Sequence, residues 1–357
     1  MAVKPRVTIT DIAQRSGASR TTVSLVLRDR PGIGSETRDR VLAVAQELGY
    51  ERRSSFARRQ ENGVRTIAIL FRARTRSPHD RSLGVNPFYS WVLTGMESVA
   101  RTRHMNLIFG TIAVDDTSTI LDTPDHLLSQ ELDGIVIVGA FTEETVSTVI
   151  GDAACPVVVV DAPATPQRFD VIASDNVGGA RAAVAHLVSR GHRHIGLIAP
   201  RDGNPNFADR ARGYEEAIRQ AGLRPVVGTL VDEEFTQAID EAARQDPSLS
   251  ALFVVNDSFA IHIVKAAIAR GYEVPRTMSI VGFDDTDHAT TSVPELTTMR
   301  VDKIGMGRHA IQQLDTRIAW PEGAQVMRVL SPTLVSRGSV AAPNAMNDRR
   351  TRPRQGG

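Results

Sequence analysis

The 357 residues are 41% hydrophobic, 23% charged and 5% aromatic, with 42 Lys and Arg against 41 Asp and Glu. Such a chain has room for two or three units with cores of their own. It contains no run of about 18 apolar residues able to span a bilayer, and its single cysteine, Cys155, excludes an intrachain disulfide and a cysteine-based zinc site.

The near-neutral total hides an uneven distribution. Residues 1–63 carry 12 Lys and Arg against 7 Asp and Glu, residues 64–340 carry 26 against 33, and residues 341–357 carry four Arg against one Asp. A basic head on an acidic body points to a polyanion as partner of the head and not of the body. Residues 1–6 lack the basic start and apolar core of a secretory signal, so a cytoplasmic setting is expected.

From the start of the chain, TITDIAQRSGASRTTVSLVL (8–27) holds two short helical patterns around Gly17. Ile12, Ala13 and Ser16 recur at helical spacing in the first, and Val23, Val26 and Leu27 in the second. Thr10 and Ser19 stand where N-caps belong. Ala13, Gly17 and Val23 supply the small crossing residue, the turn glycine and the apolar anchor of a helix-turn-helix. Its second helix would expose Arg20, Thr21, Ser24 and Arg28 to a major groove, where arginine bonds guanine bidentately. Residues 35–49 read as a third helix with an apolar stripe of Val41, Leu42, Ala45 and Leu48 and a stop at Gly49. The arginine-rich YERRSSFARRQENG (50–63) reads as a linker.

From Thr66 the texture changes to apolar runs alternating with helical stretches. The runs are 66–71, 106–112, 134–140 and 157–162, then 194–200, 226–231, 251–257 and 279–285. Continuous apolar strands between helices predict parallel sheets covered on both faces, here two sheets. Residues 72–85 read as a loop, Asn86-Pro87 as a helix start, and 341–357 as a disordered tail. Asn256 and Asp284 end parallel strands, the ligand edge of such sheets. Asp161 ends a strand of the first series, and Phe88, Tyr89 and Phe207 offer aromatic walls. Each of these also has a plain structural reading, as a helix cap or a core aromatic. His192 and His194 read as structural, and Ser174-Asp175-Asn176 as a helix start. No phosphate-loop or nucleophile-elbow motif occurs. No metal site or cofactor is expected.

The opening segment, together with NPFYSWVLTGMESVAR, IASDNVGGARAAVAHLVSRGHRHIGLI, RARGY, VVNDSFA, VPRTMSIVGFDD and PELTTMR, resembles the LacI/GalR family of bacterial transcription repressors over residues 8–340. The resemblance implies a helix-turn-helix head over residues 1–50, a hinge over 51–65 and a body over 66–340. The body would resemble a periplasmic binding protein: two discontinuous Rossmann-like subdomains with crossings near 161–173 and 297–301. It implies a homodimer on near-palindromic operator DNA, controlled by a sugar-like effector in the cleft. The implied DNA-binding set is Thr10, Ser19, Arg20, Thr21, Ser24, Leu25, Arg28 and Thr37 in the head, with Tyr50, Arg53, Phe56 and Arg59 after it. The implied effector set is Phe88, Tyr89, Asp161, Phe207, Arg210, Asn256 and Asp284, with Arg210 as the gripping arginine.

Several positions depart from the family pattern. Val301 replaces a polar residue, Leu25 stands where many relatives carry a base-reading arginine, and Arg59 takes the place of a minor-groove leucine. Phe56, one helical turn earlier, either replaces that wedge or packs the hinge against its two-fold mate. A solute-binding protein without a DNA role and an enzyme on a doubly wound fold are the alternatives. The basic head argues against the first and the missing nucleophile or cofactor motif against the second.

Overall fold

The computed structural model describes residues 9–27, 33–48, 64–74 and 88–343, apart from 116–118, 129, 152, 154, 166–167 and 202. The chain divides into two compact units, Met1–Gly63 and Val64–Gly357.

In the first unit, helices α1 (Ile9–Ser16), α2 (Arg20–Leu27) and α3 (Ser35–Glu47) close around Ile12, Ala13, Val23, Val26, Val41 and Ala45. Gly17 ends α1 at a φ of 67°, the left-handed turn that glycine makes without a Cβ penalty. Ser19 is the expected cap of α2: its Oγ accepts the Thr22 N–H at 3.0 Å. Thr10 is not a cap, because α1 already starts at Ile9 and places Thr10 in the first turn. Leu42 leaves the predicted stripe of α3 and is 45% exposed. Val44 packs on the core in its place, beside the expected Leu48, since positions 41, 44, 45 and 48 share a face at 3.6 residues per turn.

The second unit has two lobes, each a mostly parallel sheet with helices. Its elements run β1 (Arg65–Arg74), α4 (Phe88–Thr102), β2 (Met105–Val114), β3 (Ile120–Asp122), α5 (Asp125–Leu128), β4 (Gly134–Val138), α6 (Glu143–Ile150), β5 (Val157–Val160) and β6 (Asp170–Ser174). They continue α7 (Asn176–Ser189), β7 (Ile195–Pro200), α8 (Pro205–Gln220), β8 (Val227–Leu230), α9 (Phe235–Gln245), β9 (Ala251–Val254), α10 (Asp257–Ala269) and β10 (Ser279–Asp284). The last are α11 (Asp287–Thr291), β11 (Thr297–Arg300), α12 (Lys303–Ala319), β12 (Met327–Leu330) and β13 (Thr333–Val335).

The first sheet has the order β12-β6-β5-β4-β1-β2-β3 and the second β13-β11-β10-β9-β7-β8. Only the edge strands β3 and β13 pair antiparallel among the described strands. The central strands are buried on both faces, which is why β4 reads GIVIV and β5 VVVV without alternation. The chain leaves the first sheet after Ser174, returns to it through α12, and passes back between Leu330 and Thr333. Five short strands, β3, β6, β11, β12 and β13, fall outside the eight apolar runs of the sequence. At Ala341, where the tail was expected to begin, the carbonyl accepts from buried His192 at 2.9 Å and the N–H donates to Ser279 Oγ at 3.1 Å.

Candidate functional site

Parallel strands end together, so the residues following β5, β9 and β10 meet the starts of α4, α7, α8 and α12. Asp161 follows β5 with a φ of 63°, and Asp284 ends β10 with a φ of 111°. Non-glycine residues keep such angles only where the surroundings over-determine them, and they concentrate at functional sites.

Asp161 belongs to the first lobe, yet it is bonded from both. Tyr89 Oη, on the first turn of α4, donates to its Oδ2 at 3.1 Å. Asn206 Nδ2, on α8 of the second lobe, donates to Oδ1 at 2.8 Å and to the backbone carbonyl at 2.9 Å. The Asn206 Oδ1 is buried without a partner, as is Asn176 Nδ2. A buried amide with one end bonded and one end idle is a costly arrangement unless a ligand supplies the missing partner.

Arg210 lies one turn beyond Asn206 on the same face of α8. It is 3% exposed, and its guanidinium is fully spread. Nε donates to Asn176 Oδ1 at 2.8 Å, one terminal nitrogen to the Val255 carbonyl at 2.7 Å, and the other pairs with Asp284 Oδ1 at 3.0 Å. The guanidinium carbon lies 3.9 Å from the centre of the Phe283 ring and 5.8 Å from that of Phe207. Lys303, the first residue of α12, donates to the carbonyls of Asp284 at 2.5 Å and Asp285 at 2.8 Å. Its ammonium lies 5.7 Å from the Phe88 ring.

Burial sets the proton affinities. Desolvation pushes the Asp161 carboxyl up to about 7, helped by the Asp284 charge and opposed chiefly by Arg210. Desolvation likewise raises Asp284, against the pull of Arg210 and Lys303. It raises Asp257 to about 7, although Thr298 Oγ1 and the Thr286 N–H donate to that carboxyl at 2.6 and 2.8 Å. Tyr89 is held well above its usual range by desolvation and the adjacent Asp161. Three buried carboxyls beside two cations make a site rich in fixed donors and acceptors, with little unbalanced positive charge for an anion.

Of the predicted effector set, Phe88, Tyr89, Asp161, Phe207, Arg210 and Asp284 come together here. Asn256 takes the cap role: its Oδ1 accepts the Phe259 N–H at 2.8 Å and starts α10. Its neighbour Val255 supplies the carbonyl held by Arg210. Sequence reasoning missed Asn176, Asn206, Asp257, Phe283 and Lys303. Asn206 could have been found, because it sits four residues before Arg210 in a helical pattern. His192 is structural as read, its ring bonded to Ser250 Oγ at 2.9 Å and Ser279 Oγ at 3.0 Å.

In the head, Arg20, Thr21, Ser24 and Leu25 lie on α2, and Thr37 is half-buried on α3. Arg28, Tyr50, Arg53, Phe56 and Arg59 lie outside the described residues. Among the described residues, no helix is long and apolar enough to cross a membrane, and no group of three or more His, Cys, Asp or Glu is placed to hold a metal.

Residues 8–53 match the family model for bacterial regulatory proteins of the lacI family, and residues 184–340 match a periplasmic binding protein-like domain. The repressor PurR of Pasteurella multocida is 25% identical over 339 residues, covering 93% of this chain and 98% of the relative. The ribose operon repressor of Haemophilus influenzae is 26% identical over 338 residues, with the same coverage. Among solved structures, the regulator CelR in complex with cellobiose superposes with a TM-score of 0.65 at 24% identity, over 94% of this chain and all of the other. The lac repressor dimer bound to operator gives 0.64 at 21% identity, over 95% of this chain and all of the other. With a lacI-type head joined to a two-lobed binding body, and with repressors aligned along nearly its whole length, the chain belongs to the lacI family of bacterial transcriptional regulators.

Proposed function

We propose that the protein is a homodimeric, cytoplasmic repressor whose grip on operator DNA is set by a small neutral polyhydroxylated effector, such as a sugar, in the cleft. It has no catalytic step of its own. The observation that carries the effector reading is Asp161, held by Tyr89 of its own lobe and by Asn206 of the other. A ligand whose hydroxyls replace the Asn206 bond changes how the two lobes are joined.

In this reading α2 places Arg20, Thr21 and Ser24 on base edges, while arginines of the hinge meet phosphates. Two copies require two half-sites. The effector acts by binding one arrangement of the lobes more tightly than the other, and only that difference shifts DNA affinity. An anionic effector fits less well, because it would meet Asp161 and Asp284 while Arg210 is engaged by three protein groups. The likeness to CelR in complex with cellobiose supports the same class.

A duplex selected from a random pool, then a gel shift on that duplex with candidate sugars, tests the proposal. Sugars that raise the melting temperature should also change the shift. Failure to enrich any duplex would refute the DNA role. Stabilisation only by phosphorylated or carboxylated compounds would refute the effector class.

A further inference from the structure

Asp315, near the far end of α12, receives two guanidinium groups. Arg65 pairs with its Oδ1 and Arg103 with its Oδ2, and the carboxylate is 17% exposed. Arg65 is the first residue of β1 and stands two positions after Gly63, where the first unit ends. Arg103 directly follows α4. One carboxylate thus ties together the first strand of the body, the end of α4 and the end of α12. The neighbouring Thr66 is fixed as well, its N–H donating to Asp133 Oδ2 at 2.7 Å.

The other ends of the same two helices face the cleft. α4 begins with Phe88 and Tyr89, the latter bonded to Asp161. α12 begins with Lys303, whose ammonium holds two carbonyls of the second lobe. Lys303 and Asp315 are about 18 Å apart along the helix axis at 1.5 Å per residue. Between these ends the helices are in backbone contact. A Cβ on Gly95 would lie 2.1 Å from the Ile304 carbonyl oxygen, and one on Gly307 1.9 Å from that of Val92. With no side chain between them at either crossing, neither helix can move toward the other without displacing it.

We infer that Asp315 is a positioning residue for the response, linking the cleft ends of α4 and α12 to the first strand of the body, which follows the linker from the head in sequence. This rests on the regulator reading above. A displacement of Lys303 or Tyr89 is carried along the coupled helices and reaches Arg65 through the carboxylate. A carboxylate that merely stapled the body would affect its melting temperature and leave the dependence of DNA affinity on the cleft untouched.

A double-mutant cycle on the full chain separates these roles. The probe is a duplex enriched by the wild-type protein from a random pool, with Kd read by fluorescence anisotropy. Lys303→Met is expected to change Kd by about tenfold, within the usual range of coupling between sites. In the Asp315→Asn background the same substitution should change it by less than about threefold, and Asp315→Glu should restore the full response. Tyr89→Phe replaces Lys303→Met if the latter does not fold, since it keeps the ring and its packing. Equal Kd changes in both backgrounds, or no change from either cleft variant, would overturn the inference. Absence of any enriched duplex would instead refute the regulator reading itself.

Discussion

Arg210→Met is the most informative single change, because the structure states what the guanidinium holds. Methionine keeps an apolar stem of similar length beside Phe283 and removes three polar contacts at once. Those are the Asp284 ion pair, the Asn176 hydrogen bond and the Val255 carbonyl hydrogen bond. Breaking one side of a buried ion pair costs about 3–5 kcal/mol, largely the cost of the charge left behind. The body should therefore lose a large share of a stability of about 5–15 kcal/mol.

The loss should also depend on pH. The Asp284 carboxyl is already raised by burial, with Arg210 first among the groups opposing that rise. Without Arg210 the folded state binds a proton that the unfolded state releases above about pH 4, so stability falls as pH rises. Urea unfolding at fixed protein concentration should show a deficit near the low end of the range at about pH 5 and near the high end at about pH 8. A deficit below about 1 kcal/mol, or one equal at the two pH values, would refute the assignment of Arg210 as the counter-charge of Asp284.

Three further outcomes are expected. The Asp161 carboxyl titrates at about 7 rather than its ordinary 3.8, so wild-type stability should decline between about pH 4 and about pH 7. Asp161→Asn should remove one proton's share of that slope in urea midpoints, although Asp257 and Asp284 keep part of it. Gly307→Ala should cost about 1–3 kcal/mol or more in thermal melts, since its Cβ meets backbone rather than a movable side chain. Arg20→Ala should lose about 1–3 kcal/mol on the selected duplex and relax preference at one base per half-site, measured by competition with single-base variants.

The parts of the fold legible in the sequence are those whose signal is local. α1, α2 and the core residues Ile12, Ala13 and Val23 follow from spacing around a glycine. β4 and β5 follow from five and four consecutive buried apolar residues. β12 and β13 carry no such signal: they are four and three residues long and mostly exposed, so neither a run nor an alternation marks them. β6 was hidden for another reason. Its first residue, Asp170, breaks the apolar run with a carboxylate, yet it is 1% exposed, with Arg317 and Gln313 donating to it from α12.

The site divides along the same line. Asp284 is visible because a strand end places it, and Arg210 because RARGY resembles the family pattern. That they pair is not visible, since it needs α8 and β10 in one lobe. Asn256 shows the converse. Its place after a strand was read correctly, and the same place makes its oxygen the natural partner of an idle N–H at the start of α10, a local bond that the strand end alone does not announce. The contacts that would make the protein a switch are the least legible of all. Tyr89 reaches Asp161 across 72 residues, Asn206 reaches it across 45, and Arg65 reaches Asp315 across 250. A chain that crosses between two sheets brings distant segments together at the cleft and at the start of β1. Coupling between those places would therefore reside in the topology more than in any motif, and substitution at Asp315, about 18 Å along α12 from Lys303, should alter the response while leaving every residue of the cleft in place.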